Sequence, residues 1–205
     1  MAEHLLIFAR HPVLGQVKTR LARTIGPEAA LRVYRELLGR TRAAADGVAA
    51  AKTVWLAGVP PPAAEAFAGW AGYAQRPQPA GDLGQRMHQA FAAAFAAGAT
   101  AAVVIGTDCP ALTAGHLTAA FQRLATHEVV VGPALDGGYY LLGTRGLVAD
   151  FFVAKAWSTA TVLAATLADA DRLGLRVAHL PALADVDTAD DLAAWRAASA
   201  PQSLL

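Results

Sequence analysis

An α/β fold on one mixed, mostly parallel sheet is predicted by three features of the chain. Short β-rich runs alternate with longer helical runs, turn residues bound most of them, and no composition shift interrupts the alternation. Strands are expected at about His4–Ala9, Thr53–Gly58, Gly72–Gln75, Ala101–Gly106, Glu128–Gly132, Tyr139–Gly143 and Leu175–Leu180. Helices are expected between them at about Lys18–Thr24, Pro27–Ala45, Ala63–Trp70, Leu83–Ala97, Ala114–Thr126, Thr159–Leu173 and Ala189–Ala198, where alanine favours helix. Gly26-Pro27 places proline at a first helical position, Thr113 precedes a helical run, and Thr188 with Asp191 makes a capping-box-like start. Pro60-Pro61-Pro62 reads as a stiff connector rather than a boundary, so residues 1–205 are expected to form a single domain.

Composition narrows the function classes. A chain that is 55% hydrophobic and 16% charged is too apolar to stay disordered, and 205 residues suffice for one buried core. The single cysteine, Cys109, excludes an internal disulfide framework and a cysteine-rich zinc site. Seventeen Lys and Arg against sixteen Asp and Glu leave a net charge of +1, too balanced for a whole-protein nucleic-acid or membrane binder. Charges or prolines break every apolar run before the roughly 18–20 residues a membrane span needs, and the first residues lack a secretory pattern. The expected location is the cytoplasm.

In an open α/β sheet, ligands sit beyond the carboxyl ends of the strands. The run Arg10–Leu21, with Arg23, gathers five cationic or potentially cationic side chains (Arg10, His11, Lys18, Arg20 and Arg23) around Gly15. Glycine lets backbone amides approach an anion, while Lys and Arg supply charge-assisted hydrogen bonds to phosphate oxygens. The run is neither a Walker A loop nor a Gly-x-Gly-x-x-Gly fingerprint, and a solvated basic helix start would look much the same. Gly106-Thr107-Asp108-Cys109-Pro110 follows an apolar strand, so Asp108 could hold a hard divalent cation or simply close a turn. Asp136-Gly137-Gly138 could meet sugar hydroxyls, with Asp136 a base toward an acceptor, or make a plain Asp-Gly turn. One of Tyr139 and Tyr140, left undecided by pattern, enters the core. Asp185 and Asp187 alternate before the last helix, and one of them could complete a metal site with Asp108. Asp190 and Asp191 suit the first turn of that helix. Gly81-Asp82-Leu83-Gly84-Gln85-Arg86-Met87 could offer backbone to a nucleobase. No histidine pair has metal-ligand spacing, no Gly-x-Ser-x-Gly elbow is present, and the carboxylate beside Cys109 argues for a packed thiol rather than a nucleophile.

Taken in order, six segments resemble one family. They are Phe8-Ala9-Arg10 with Gly15–Leu21, then Gly81–Met87, Gly106–Pro110, Gly132–Gly143, Trp157-Ser158-Thr159 and Asp185–Leu192. The family is the bacterial glycosyltransferase-like proteins associated with radical-SAM and selenodomain proteins, also called arsenosugar-biosynthesis-type glycosyltransferases. The resemblance implies a Rossmann-like GT-A fold of the nucleotide-diphospho-sugar transferase superfamily. More distantly, Lys-Thr-Arg-Leu and Asp-Val-Asp-Thr look like nucleotidyltransferases of the molybdenum-cofactor and phospholactate guanylyltransferase type.

By position, the resemblance gives nucleotide and phosphate binding to Arg10, Gly15, Lys18, Arg20, Gly81, Gly84 and Arg86. It gives sugar or acceptor contacts to Asp136, Gly137 and Gly138, and metal ligation to Asp108 and Asp187, with Asp108 and Asp136 in the chemistry. Gly-Thr-Asp-Cys stands in place of the usual Asp-x-Asp, so the resemblance implies that a single strand-end carboxylate would carry the metal there. The expected activity is transfer of a sugar from a nucleotide-diphosphate donor to a small acceptor with Mg²⁺ or Mn²⁺. The alternative is a nucleotidyltransferase that joins a nucleoside triphosphate to a phosphorylated acceptor and releases pyrophosphate, and a third reading is a non-catalytic nucleotide-binding module. Nucleic acid is not an expected partner, and the Ala- and Leu-rich helices leave a homodimer open.

Overall fold

A computed structural model describes residues 2–60 and 68–199. Within them the sheet has seven strands in the order β3-β2-β1-β4-β6-β5-β7. These are β1 Glu3–Arg10, β2 Ala51–Ala57, β3 Ala74–Pro77, β4 Ala101–Ile105, β5 Val129–Pro133, β6 Tyr139–Thr144 and β7 Val177–His179. β1 pairs in parallel with β2 and β4, β2 with β3, and β5 with β7, while β6 runs antiparallel between β4 and β5. A turn at Asp136-Gly137-Gly138 sends the chain straight back from β5 into β6, which is why one strand reverses.

The helices are α1 Thr19–Ile25, α2 Pro27–Asp46, α3 Leu83–Ala96, α4 Ala114–Leu124, α5 Val162–Arg172 and α6 Ala189–Ser199. Two layers cover the sheet. Alternation sends Leu5, Ile7, Val103 and Ile105 to the face packed by Tyr34 and Leu38 of α2 and Leu117 and Phe121 of α4. Leu6, Ala102, Val104 and Val131 face Met87 and Phe91 of α3 and Ala170 of α5. Each fully buried Leu, Ile or Phe contributes about 1.5–3 kcal/mol, so both faces hold the sheet firmly. A third cluster joins Leu21 of α1 and Leu37 of α2 to Val186, with Trp195 of α6 packed against it.

The expected caps form. Pro27 opens α2, Thr113 and His116 cap α4 reciprocally, and Thr188 with Asp191 starts α6. Asp82 and Gln85 make a further capping box on α3. The expected helix Ala63–Trp70 falls largely outside the described residues; its end, Ala68–Trp70, is a 3-10 turn. The helix expected from Thr159 begins only at Val162. The Thr159 hydroxyl donates to the Ala156 carbonyl at 2.7 Å and meets the Thr161 hydroxyl at 2.9 Å, bonds that compete with the first helical turn. A 3-10 turn at Ala149–Phe152, not foreseen in the sequence, buries Phe151 and Phe152 with Phe91 of α3.

Candidate active site

β1 and β4 are neighbours in space while their chain connections leave in opposite directions across the sheet, and a cleft opens at their carboxyl ends. It has a volume of about 540 Å³. Arg10 ends β1 and Asp108 follows β4, while Asp187 arrives from the segment before α6, and all three line the cleft. That last segment is tied down by the Val186 amide, which donates to the Asp108 carbonyl at 3.0 Å. Val186 is buried against α1 and α2, so Asp185 and Asp187 on either side of it are directed elsewhere.

The two aspartates then part. Asp187 joins Asp108 on a common partner, the Lys18 ammonium, which lies 2.5 Å from Asp108 Oδ1 and 2.8 Å from Asp187 Oδ1. The Lys18 side chain is only 4% exposed, against 47% and 41% for the two carboxylates. Its backbone sits at φ 47°, ψ 45°, a left-handed conformation costing a side-chain-bearing residue roughly 1–2 kcal/mol. Burial alone would depress the Lys18 pKa, but the two carboxylates raise it above its ordinary value, so the ammonium stays charged. Arg20 lies 3.7 Å from the other oxygen of Asp187.

Asp185 instead lines a second, smaller chamber of about 170 Å³, together with Asp136, Gly138, Cys109, Trp157 and Thr159. The two chambers share Leu83, Gly106, Asp108, Tyr139, Tyr140 and Ser158, so they meet at Asp108. Burial first, then the like charges of Asp136, Asp187 and Asp108, push the Asp185 carboxyl up from its ordinary pKa. Burial and then Asp185 and Asp108 push the Cys109 thiol up as well, which keeps it protonated and a poor nucleophile. Asp136 accepts from the Gly138 amide at 2.9 Å, the turn expected from the sequence, while also facing the chamber.

The remaining site candidates separate into those that line the chambers and those that support them. Arg10, Lys18, Arg20 and Arg86 line the larger chamber. Gly15 has φ +73° in an open turn and lines neither. His11 also lines neither, and burial lowers its pKa, so it is not among the cations at neutral pH. Gly81 contributes its carbonyl, which accepts from Arg86 Nε at 2.9 Å and so aims that guanidinium. Gly84 lies beneath Trp157, where an added methyl would sit 2.5 Å from the indole ring and also strike the Phe152 carbonyl oxygen. Gly84, expected to meet the nucleobase, lines neither chamber and seats the Trp157 wall. Gly137, at φ +90°, is closed over by the Ala160 backbone, which leaves no room for any side chain.

Sequence reasoning missed several lining residues. Tyr34 of α2 accepts from the Arg10 amide at 2.8 Å and donates to the Arg10 carbonyl at 3.2 Å, fixing the end of β1. Gln78 donates to the Ala9 and Trp55 carbonyls at 3.3 and 3.1 Å. Both look like ordinary helix and loop residues in sequence. Tyr140 enters the core with its hydroxyl donating to the Pro181 carbonyl at 3.1 Å, and Tyr139 packs on the opposite face beside Met87.

Fit to a divalent cation rests on the donor set. Asp108 and Asp187 supply hard oxygens converging on one cationic centre, the chemistry that suits Mg²⁺ or Mn²⁺ completed by water and phosphate oxygens. Among the described residues, no group of three His, Cys, Asp or Glu side chains is arranged to hold a metal ion by itself. Nor is any helix among them long and apolar enough to cross a membrane.

Fold and cleft together define the architecture shared by nucleotide-diphospho-sugar transferases and nucleotidyltransferases. Residues 40–159, more than half of the chain, match the family described as an uncharacterized protein conserved in bacteria (DUF2064), and the chain belongs to that family. It is similar to a crystal structure from Desulfovibrio desulfuricans G20, provisionally described as a nucleotide-diphospho-sugar transferase. That match has 30% identity and a TM-score of 0.91, and covers 98% of this chain and 89% of that one. In fold alone it resembles a nucleotidyl transferase from Methanothermobacter thermautotroptrophicus, with 14% identity, TM-score 0.66 and coverage of 96% and 97%. A manganese complex of Rv0371c from Mycobacterium tuberculosis H37Rv is likewise similar in fold, with 16% identity, TM-score 0.51 and coverage of 95% and 97%. No curated protein matches the chain in sequence.

Proposed function

We infer that the protein transfers a sugar from a nucleotide-diphosphate donor to a small acceptor, within the glycosyltransferase-like group associated with radical-SAM and selenodomain proteins. The observation that carries this reading is the charge segregation of the two chambers. The larger is lined by four cations, Arg10, Lys18, Arg20 and Arg86, against two carboxylates, Asp108 and Asp187, whereas the smaller is lined by Asp108, Asp136 and Asp185 with no Lys, Arg or His. A diphosphate suits the first. The second suits an uncharged polyol against an indole wall and disfavours the phosphorylated acceptor that nucleotidyl transfer requires. The description of the Desulfovibrio relative and the six sequence segments support the same reading.

In this reading the nucleoside lies along Phe8, Leu83 and Met87, with Arg86 at its edge and Arg10, Lys18 and Arg20 around the diphosphate. Asp108 and Asp187 would hold Mg²⁺ or Mn²⁺, which when bound neutralises the charge that grows on the departing diphosphate. The sugar reaches past Asp108 into the smaller chamber. Asp136 accepts the proton of the acceptor hydroxyl as that oxygen bonds to the anomeric carbon and the bond to the diphosphate oxygen breaks. Trp157 and Tyr139 keep bulk water from the same carbon.

Four cations around the larger chamber would also serve a triphosphate, which favours nucleotidyl transfer as the second reading. Incubation of the protein with Mn²⁺ and either a panel of sugar nucleotides or nucleoside triphosphates with sugar phosphates separates the two. Release of a nucleoside diphosphate from a sugar nucleotide is expected, and release of pyrophosphate would replace the first reading by the second.

A further inference from the structure

Lys18 shows a feature that phosphate binding alone does not explain. Its ammonium is buried between Asp108 and Asp187, carboxylates from segments far apart in the chain, although Arg10 and Arg20 of the same basic run line the open cleft without being buried in that way. The backbone holds it there in a left-handed conformation. Two carboxylates aimed at one point repel each other without a cation between them, and the ammonium is what they have.

We propose that Lys18 is a resident cation at the divalent-metal position, so that metal and ammonium exclude each other and the metal enters only with a diphosphate that takes over the ammonium. The proposal rests on the reading of Asp108 and Asp187 as metal ligands given above. A monovalent ammonium and a divalent ion cannot both sit between the same two oxygens. A metal arriving alone must expel the ammonium into a chamber already holding Arg10 and Arg20, which is unfavourable. A metal arriving with a diphosphate brings the ammonium a new anionic partner. Binding of metal and of diphosphate therefore strengthens each other reciprocally, and the protein resists idle metal loading.

The test uses Mn²⁺ alone and Mn²⁺ with inorganic pyrophosphate, read by electron paramagnetic resonance of the free ion and by thermal shift. Lys18→Met removes the charge, and Lys18→Gly removes it while suiting the left-handed backbone, so at least one variant is expected to fold. Expected is a gain of tenfold or more in affinity for Mn²⁺ alone in the variants. Wild-type protein is stabilised by Mn²⁺ only when pyrophosphate is present. Equal or weaker Mn²⁺ binding in folded variants, or wild-type stabilisation by Mn²⁺ alone as large as theirs, overturns the proposal. Neither probe contains a sugar, so a failure of sugar transfer leaves this test intact, and a failure here leaves sugar transfer to be judged by its products.

Discussion

The two chambers that meet at Asp108 open at the same end of the sheet yet differ in charge, one holding four cations with two carboxylates and the other carboxylates alone. On the β1 side the chain supplies Arg10, Lys18 and Arg20 from a loop and short helix, and Arg86 from α3. On the β5–β6 side it supplies Asp136 from a turn, Asp185 from the segment before α6, and the Trp157 wall. The difference teaches that the topology provides the crevice while short loops decide what each half recognises. The proposed function gives a phosphate-bearing group to one half and a neutral hydroxyl-rich group to the other, with Asp108 at their boundary.

The most damaging change to that division is Asp108→Ala. It is expected to abolish metal-dependent binding of sugar nucleotides while circular dichroism shows an intact fold; unchanged binding by calorimetry would contradict the account. Asp136→Asn probes the acidic half alone. Turnover should fall about 100-fold or more, the scale of a lost general base, with nucleoside-diphosphate affinity kept within about twofold, and a parallel loss of both would merge the two chambers into one site. Gly84→Ala disturbs the Trp157 wall of the smaller chamber. Crowding against Trp157 and the Phe152 carbonyl should cost about 1–3 kcal/mol, a melting temperature lower by several degrees at roughly 2–4 °C per kcal/mol, and an unchanged melt would mean the helix shifts freely.

The smallest effect lies outside both chambers and serves as a control. Arg176, through side-chain and backbone hydrogen bonds, holds the Glu128 pKa down at about 2 from its ordinary 4.5. A carboxylate depressed in the folded state stabilises fully above its unfolded pKa, and that contribution is lost as pH falls from about 4.5 through about 2. Urea melts across that window should show Glu128→Gln losing part of the acid dependence while ligand binding at neutral pH stays as in the wild type.

How much of this was legible in the sequence differs between the halves of the argument. The seven strands and most helices follow from periodicity, because alternation and helical spacing reflect burial on a sheet with two covered faces. Strand-end Asp108 and the Arg10–Arg20 run were legible because position after a strand predicts the crevice. The supporting roles of Gly81, Gly84 and Gly137 were not, since a glycine needed for close packing and one needed for ligand approach are identical in sequence. Tyr34 and Gln78 gave no signal, because their partners at Arg10, Ala9 and Trp55 are distant along the chain. The separation of Asp185 from Asp187, one in each chamber with only Asp187 on the Lys18 ammonium, is a tertiary arrangement that alternation does not specify.

The central claim is tested most directly by thermal shift of the purified protein against nucleoside triphosphates, nucleoside diphosphates and sugar nucleotides, each with and without Mn²⁺. A ligand at about 100 times its Kd adds roughly 2.7 kcal/mol of stability. The account predicts the largest shift with one sugar nucleotide and only when Mn²⁺ is present. Preference for a triphosphate over every sugar nucleotide, or no shift with any of them, would contradict it.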